Sequence, residues 1–455
     1  MTDDGSSLFC PLEFRYGRDE VRAIFSRSAR LRRALRVEAA LALAEAEVGM
    51  IPTEDAEAID RAANLDSVRL EKVDEIERVT RHDVMAMTRA LAEAAGPAGR
   101  WVHYGATSAD ITDTALALEL KECVTVLDGD LVRLGQVLAD LARRHRATPT
   151  VGRTHGQHGV PLSFGYKMAV AAAEVGRHRR RLAELQVRLL VGKLAGAVGT
   201  GAGFGEKAAE VEEAAMRRLE LTPDEAPTQI VGRDRLAELT NFLALVAGTA
   251  ERLATEVRNL QRTEIAEVAE PFDEEHQVGS STMAQKRNPM QSENVTSLAR
   301  LVRALAGPPL ENMVQWHERD LSNSANERIV IPHAVVLTDD ILRKLADVFG
   351  GLEVDPGQMA SAVAAGGGMA MTESLMLALT AKGLPRGEAH ELLRRLTRGH
   401  AADTSLLARA KADPTITKLL PAAELAAVLD PQSYVRAAAE KTDRILAVVD
   451  RELDH

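Results

Sequence analysis

Three long stretches of this chain carry an apolar residue at every third or fourth position with almost no helix breaker, which limits what it can fold into. From residue 112 to about 146, Leu116, Leu120, Val124, Leu127, Leu131, Leu134, Leu138 and Leu141 form one narrow stripe. The repeat is close to 3.5 residues, the spacing that packs helix against helix. Thr112 and Asp113 stand where a helix start is expected, and Thr148-Pro149 supplies a stop. A second helix is expected from about residue 163 to 190. A third is expected from about 234 to 268, with Leu236, Leu239, Leu243, Val246, Leu253, Val257, Leu260 and Ile265 inward. At 1.5 Å per residue each spans roughly 40–50 Å, which predicts an elongated bundle completed by other subunits.

Shorter helices are expected at residues 19–28 and 31–48. Others follow residue 355, separated by Gly366-Gly367-Gly368, Gly383-Leu384-Pro385 and Asp413-Pro414. Ala, Leu, Val, Glu and Arg dominate and aromatics are only 3% of residues, so the seams between helices must be aliphatic. No alternating strand pattern of useful length is visible, and the glycine-rich run 195–205 reads as a turn. The expected fold class is therefore all-α. Its parts are an N-terminal helical domain (1–110), a central long-helix bundle (111–350) and a C-terminal helical domain (351–455).

A net charge of −11 argues against a nucleic-acid-binding surface. Cys10 and Cys123 are too few for a disulfide framework and match no zinc spacing. The start MTDDGSSLFCPLEF is acidic and lacks an apolar core, and no apolar run reaches about 18 residues. A cytoplasmic protein without a membrane span is expected.

Between two of the helical stretches lies Gly279-Ser280-Ser281-Thr282-Met283-Ala284-Gln285-Lys286-Arg287-Asn288-Pro289, within a loop of residues 276–290. Gly, hydroxyls, a cation and an amide packed into eleven residues do not serve a core. They suit a mobile loop that grips an oxyanion, after which Pro289 restarts a helix. Four more polar clusters lie at helix ends: Arg81-His82-Asp83, His103 to Ser108, Arg153 to Gly159, and Trp316 to Asp320 followed by Ser324 and Arg328. Five of the twelve histidines fall in these windows. His155 and His158 are three apart, but Gly156, Gly159 and the lack of a nearby carboxylate weigh against a metal. Ser280 lies in no nucleophile elbow, which weighs against a hydrolase. Acid–base chemistry on a poly-anionic small molecule needs an acid, a base in a loop and groups for carboxylates or phosphate. The clusters supply all of these.

The loop string resembles the signature of the fumarase/aspartase superfamily. Within it the adenylosuccinate lyase family is most similar, on Phe14-Arg15-Tyr16-Gly17, Glu77 to Val84, Trp101 to Ser108, Gly152 to His158, Thr228-Gln229, Arg233-Asp234-Arg235 and Trp316 to Asp320. The resemblance implies a three-domain fold whose central bundle is pooled in a homotetramer, with active sites shared between subunits. It implies fumarate release from a succinyl-nucleotide by anti elimination, with no metal or organic cofactor. His155 would be the general acid, Ser280 the base, Lys286 the stabiliser of the aci-carboxylate, and His82 and His103 supporting catalytic groups. Thr107, Ser108, Thr154, Gln229, Met283 and Asn288 would hold the succinyl part. Arg15, Tyr16, Arg81, Asp83, Arg319, Ser324 and Arg328 would face the nucleotide.

Three positions depart from the family pattern: Ala284-Gln285 before Lys286, Gly159, and Ser322-Asn323-Ser324-Ala325. Residues 31–52 also resemble the 3-carboxymuconate cycloisomerase branch. Two alternatives stay open: a related lyase or cycloisomerase acting on another substituted succinate or a carboxymuconate, and a non-catalytic superfamily member.

Overall fold

The computed structural model describes residues 9–398 and 404–453. Part of the acidic start, residues 1–8, lies outside the described residues. The described chain is predominantly helical. In order come α1 (Asp19–Ile24), α2 (Arg27–Glu47), α3 (Thr53–Ala62), α4 (Leu70–Thr80), α5 (Asp83–Ala95) and α6 (Ser108–Arg144). Strands β1 (Pro149–Thr154) and β2 (Gln157–Ser163) follow. Then come α7 (Phe164–Leu189), β3 (Val191–Gly192), α8 (Ala208–Leu219), β4 (Thr222–Pro223), α9 (Asp234–Leu260) and β5 (Val268–Ala269). After the loop stand α10 (Met290–Ala304), α11 (Gly307–Glu311), α12 (Ser324–Gly350) and β6 (Glu353–Val354). Short helices from Pro356–Ala365 to Ala422–Val428 and a last long one, Gln432–Leu453, complete the chain. Among the described residues no single helix is long and apolar enough to cross a membrane.

The stripe on α6 is confirmed, with Leu120 through Leu141 buried. Its start is corrected. The helix begins at Ser108 rather than near Thr112, and Thr107 accepts at its carbonyl from the Asp110 N–H at 2.9 Å. Asp113 lies inside the helix and is buried against Arg233. At 37 residues α6 is about 55 Å long. The first helices also divide differently. The break falls at Phe25-Ser26, where the Ser26 hydroxyl accepts from the Ala29 N–H and caps α2.

Two further expectations fail. The third long helix stops at Leu260, not 268. Ala266 turns left-handed (φ +50°) and the Glu267 N–H bonds back to the Leu260 carbonyl, so Val268 pairs with Val354 instead of continuing the helix. An antiparallel hairpin is also present where no strand was expected, with Pro149 opposite Ser163 and a bulge between Val151 and Arg153.

By contacts the chain divides into two compact units. The first comprises residues 1–130, 178–250 and 297–342; the second comprises 131–177, 251–296 and 343–455. In the first unit α6, α7 and α9 are tied by Arg179 to Asp128 (2.8 Å) and by His178 Nε2 to the Thr249 hydroxyl (2.7 Å). In the second, Lys344 donates to Asn294 at 2.6 Å, joining α12 to α10. The core of the second unit's C-terminal part gathers Met371, Leu375, Leu379, Leu393, Leu406, Ile416 and Leu425.

Candidate active site

The sequence-predicted residues fall into two groups, one in each unit. The first unit holds Arg15, Tyr16, Arg81, His82, Asp83, His103, Thr107, Ser108, Gln229, Arg319, Ser324 and Arg328. Arg15 and Tyr16 lie on the turn before α1. Arg22 donates to the Tyr16 carbonyl at 3.2 Å, and the Gly17 N–H donates to Asp340 at 3.1 Å. Arg81 ends α4 in the left-handed region (φ +54°), and His82 caps α5 by accepting the Met85 N–H at Nδ1. Asp83 pairs with Arg328 at 3.0 Å, which brings the start of α5 to the first turn of α12 beside Ser324. Gln229 accepts from Arg319 at 2.9 Å and donates to the Ala197 carbonyl at 2.8 Å.

Thr107 and Ser108 sit at the N-terminus of α6, where the unpaired N–H groups and the helix dipole favour an anion. Asp110 fixes this turn. Its buried carboxylate accepts from the Thr107 N–H (2.8 Å), the Ala195 N–H (3.0 Å) and the Gly196 N–H (3.1 Å). It also pairs with Lys193, and both side chains are fully buried. One step upstream, His103 is held at φ +65° by Glu38 of α2. The Glu38 carboxylate takes His103 Nδ1–H at 2.7 Å and the His103 backbone N–H at 3.1 Å. Burial works against a charge on His103. The hydrogen bond and charge of Glu38, with a further contribution from Asp110, outweigh it and raise the imidazole pKa above its usual value. Glu45, also on α2, is buried with neither oxygen hydrogen-bonded. Burial, with repulsion from Glu38, pushes its carboxyl up to about 8, so it is neutral at pH 7.

The second unit holds Thr154, His155, Ser280, Met283, Lys286 and Asn288. Thr154 pairs with Gln157, so His155-Gly156 is a two-residue turn. Both turn residues have positive φ (+55° and +74°), the backbone of a type I′ hairpin, which Gly adopts freely and His tolerates. The turn presents His155 exposed at the tip. Arg153 anchors the hairpin by donating to buried Glu267 at 3.1 Å, and Thr150 donates to the same carboxylate at 3.2 Å.

The loop is clamped at its base and open at its crown. Asn288 donates to the Gly279 carbonyl at 2.9 Å, Gln261 donates to the Arg287 carbonyl at 3.1 Å, and Arg287 pairs with Glu353. Glu270 accepts the N–H groups of Gln291 (3.1 Å) and Ser292 (2.6 Å) and so caps α10. The crown from Ser281 to Lys286 is exposed. At its edge, half-buried Ser280 accepts at Oγ the N–H groups of Met283 (3.1 Å) and Thr282 (3.3 Å). Two N–H donors aimed at one hydroxyl oxygen favour its anionic form. Glu38, Asp110, Lys193, Glu267 and Glu270 were missed from the sequence. Their one legible signal is a single charge inside an apolar run, as in Val37-Glu38-Ala39-Ala40.

A family model described as lyase matches residues 13–304, and one described as adenylosuccinate lyase C-terminus matches residues 368–445. The adenylosuccinate lyase of Pyrococcus horikoshii is 46% identical over 97% of this chain and 98% of its own length. The chain belongs to the adenylosuccinate lyase family. The adenylosuccinate lyase of Methanothermobacter thermautotrophicus is 43% identical over 96% of this chain and 98% of its own. Among solved structures, a fumarate lyase from Mesorhizobium sp. BNC1 superposes with a TM-score of 0.86 at 32% identity, covering 95% of this chain and 98% of that one. The 3-carboxy-cis,cis-muconate lactonizing enzyme of Pseudomonas putida gives 0.84 at 33%, covering 96% and 98%. These neighbours place the helical fold within the superfamily that the loop signature indicated.

Family membership makes the loop geometry testable by activity. A Cβ on Gly279 would lie 2.2 Å from the Lys286 carbonyl oxygen, so alanine there forces the two arms of the loop apart. Gly279→Ala is expected to lower kcat/KM by about tenfold to a hundredfold, the cost of misplacing a reacting group by about 1 Å. Steady-state kinetics beside far-UV circular dichroism check this; an unchanged kcat/KM contradicts it.

Proposed function

We propose that this enzyme, a C–N lyase, eliminates fumarate from adenylosuccinate to leave AMP, and likewise from the succinyl-carboxamide imidazole ribotide of purine biosynthesis. The observation that carries the reading is 46% identity to an adenylosuccinate lyase across almost the whole of both chains. In the elimination Ser280 Oγ, as alkoxide, takes the proton β to the departing nitrogen. The electron pair passes into the neighbouring carboxylate as an aci-carboxylate, which the Lys286 ammonium and Asn288 amide stabilise. Collapse of that intermediate forms the fumarate double bond and breaks the C–N bond, and His155 protonates the leaving nitrogen. The N–H groups of Thr282 and Met283 on Ser280 Oγ support the base role. The exposed crown supports closure over bound substrate, with water excluded only then.

Thr107, Ser108, Thr154, Gln229 and Met283 take the succinyl carboxylates in this reading. Arg15, Tyr16, Arg81, His82, Asp83, Arg319, Ser324 and Arg328 face the nucleotide, and His103 assists the acid or the substrate. No cofactor is needed. The enzyme is assigned to the cytoplasm as a homotetramer with shared sites, divided into domains 1–110, 111–350 and 351–455. Exposed apolar side chains on long helices, Val187 on α7, Leu245 on α9 and Leu301 on α10, support burial against other subunits.

The likeness to the Pseudomonas putida lactonizing enzyme favours a second reading, in which a carboxymuconate or another substituted succinate is the substrate. A substrate panel separates them. Purified enzyme is expected to turn over adenylosuccinate, read by ultraviolet absorbance, and to leave argininosuccinate, nitrosuccinate and carboxymuconate unchanged. Turnover of one of those three without turnover of adenylosuccinate would reverse the assignment.

A further inference from the structure

We propose that Glu38 is a positioning residue for the elimination, locking the ring of His103 so that Nε2 is presented to an anionic group of the substrate. The proposal rests on the reading that gives His103 a part in the reaction. One carboxylate makes both contacts, to Nδ1 at 2.7 Å and to the His103 backbone N–H at 3.1 Å. A carboxylate only accepts here, so Nδ1 carries a proton and the ring orientation is set. Nε2 has no protein partner among the described residues, and a fifth of the side chain remains exposed. The backbone bond also holds a left-handed conformation (φ +65°) that a non-glycine residue adopts at a cost. Glu38 itself is 1% exposed, so the alignment is stiff.

The arrangement also sets charge. The groups acting on His103 are Glu38 from α2 and Asp110 from the first turn of α6, whose own charge is shared with Lys193. Glu45, two turns further along α2, is pushed up to about 8, so it is mostly neutral at pH 7 and gains its charge as pH rises through that value. The pair therefore favours an imidazolium, whose Nε2–H is a stronger donor to an anion than a neutral ring. A raised folded-state pKa keeps that charge below the raised value and loses it as pH rises through it.

The test is a double-mutant cycle read across pH. Glu38→Gln keeps the shape and removes the charge. It is expected to move the high-pH limb of kcat/KM toward acid by about one pH unit, hence about tenfold lower kcat/KM on that limb. Glu38→Asp, retaining charge, is expected to restore part of the limb. In a His103→Gln background the further change Glu38→Gln is expected to alter kcat/KM less than about twofold, because its route of action is gone. Independent, additive losses with an unmoved limb would overturn the proposal and mark Glu38 as structural. A His103→Gln variant with wild-type kcat/KM at every pH would instead overturn the part assigned to His103, whatever Glu38 does. Histidine-selective NMR titration separates the two failures. Glu38→Gln is expected to lower the His103 midpoint, and an unmoved midpoint counts against Glu38 even if the variant is less stable.

Discussion

Ser280→Ala is expected to lower kcat on adenylosuccinate by about 10³-fold, the scale at which a positioned proton acceptor contributes to a rate. The loss should fall on kcat more than on KM, because in the proposed elimination the hydroxyl acts on a C–H proton and holds no substrate charge in the ground state. Folding should be nearly untouched. Ser280 is half-buried, and the Thr282 and Met283 N–H groups released by the change lie on an exposed stretch where water replaces the lost acceptor. Such changes fall within about 0.5 kcal/mol. Steady-state rates, a thermal melt and the mass of the assembly check the prediction together. A kcat within tenfold of wild type, with the melt unchanged, would move the base to another group and leave the two N–H contacts as an ordinary turn. Ser281→Ala is the matched control and should change kcat by less than about tenfold.

The features legible in the sequence are those with short-range causes. The leucine stripe of α6 needs only its own spacing, and the loop signature only its own eleven residues. The hairpin was hidden because Gly152, Arg153, Gly159 and Pro161 interrupt any alternation, and because the bulge at Val151 to Arg153 breaks the period of two. The end of α9 was misplaced because Ile265 and Val268 continue the apolar spacing past the turn, whose left-handed Ala266 has no compositional mark. The supports of the candidate site were hidden for a different reason. Glu38 and His103 are 65 residues apart, and Asp110 and Lys193 are 83 apart. In one chain each reads as an isolated charge, and only the fold shows the pairing. The motifs that carry the candidate site were therefore readable, while the residues that hold their side chains and backbone in place were not.

Lys193→Met is expected to destabilise the protein by about 3–5 kcal/mol, the cost of removing one partner from a buried ion pair. Asp110 and Lys193 are both fully buried, so the carboxylate left behind keeps three backbone N–H donors and loses the ammonium paired with it. The urea midpoint at matched protein concentration measures the loss. Function should suffer by a separate route. Asp110 holds the Thr107 N–H and the Ala195–Gly196 backbone together, so a carboxylate that protonates or turns away releases the first turn of α6. KM for adenylosuccinate should then rise more than kcat falls, since Thr107 and Ser108 are assigned to binding a carboxylate that is charged before and after the chemical step. Asp110→Asn combined with Lys193→Met removes both charges. Its one side-chain oxygen can stay on the Thr107 and Gly196 N–H groups, while the amide NH2 leaves the Ala195 N–H without its acceptor. That double variant should recover part of the lost stability, because an uncompensated buried charge costs more than one missing acceptor. If the double variant were as unstable as Lys193→Met alone, the pair would matter through packing of the lysine stem, and the uncompensated-charge account would fail.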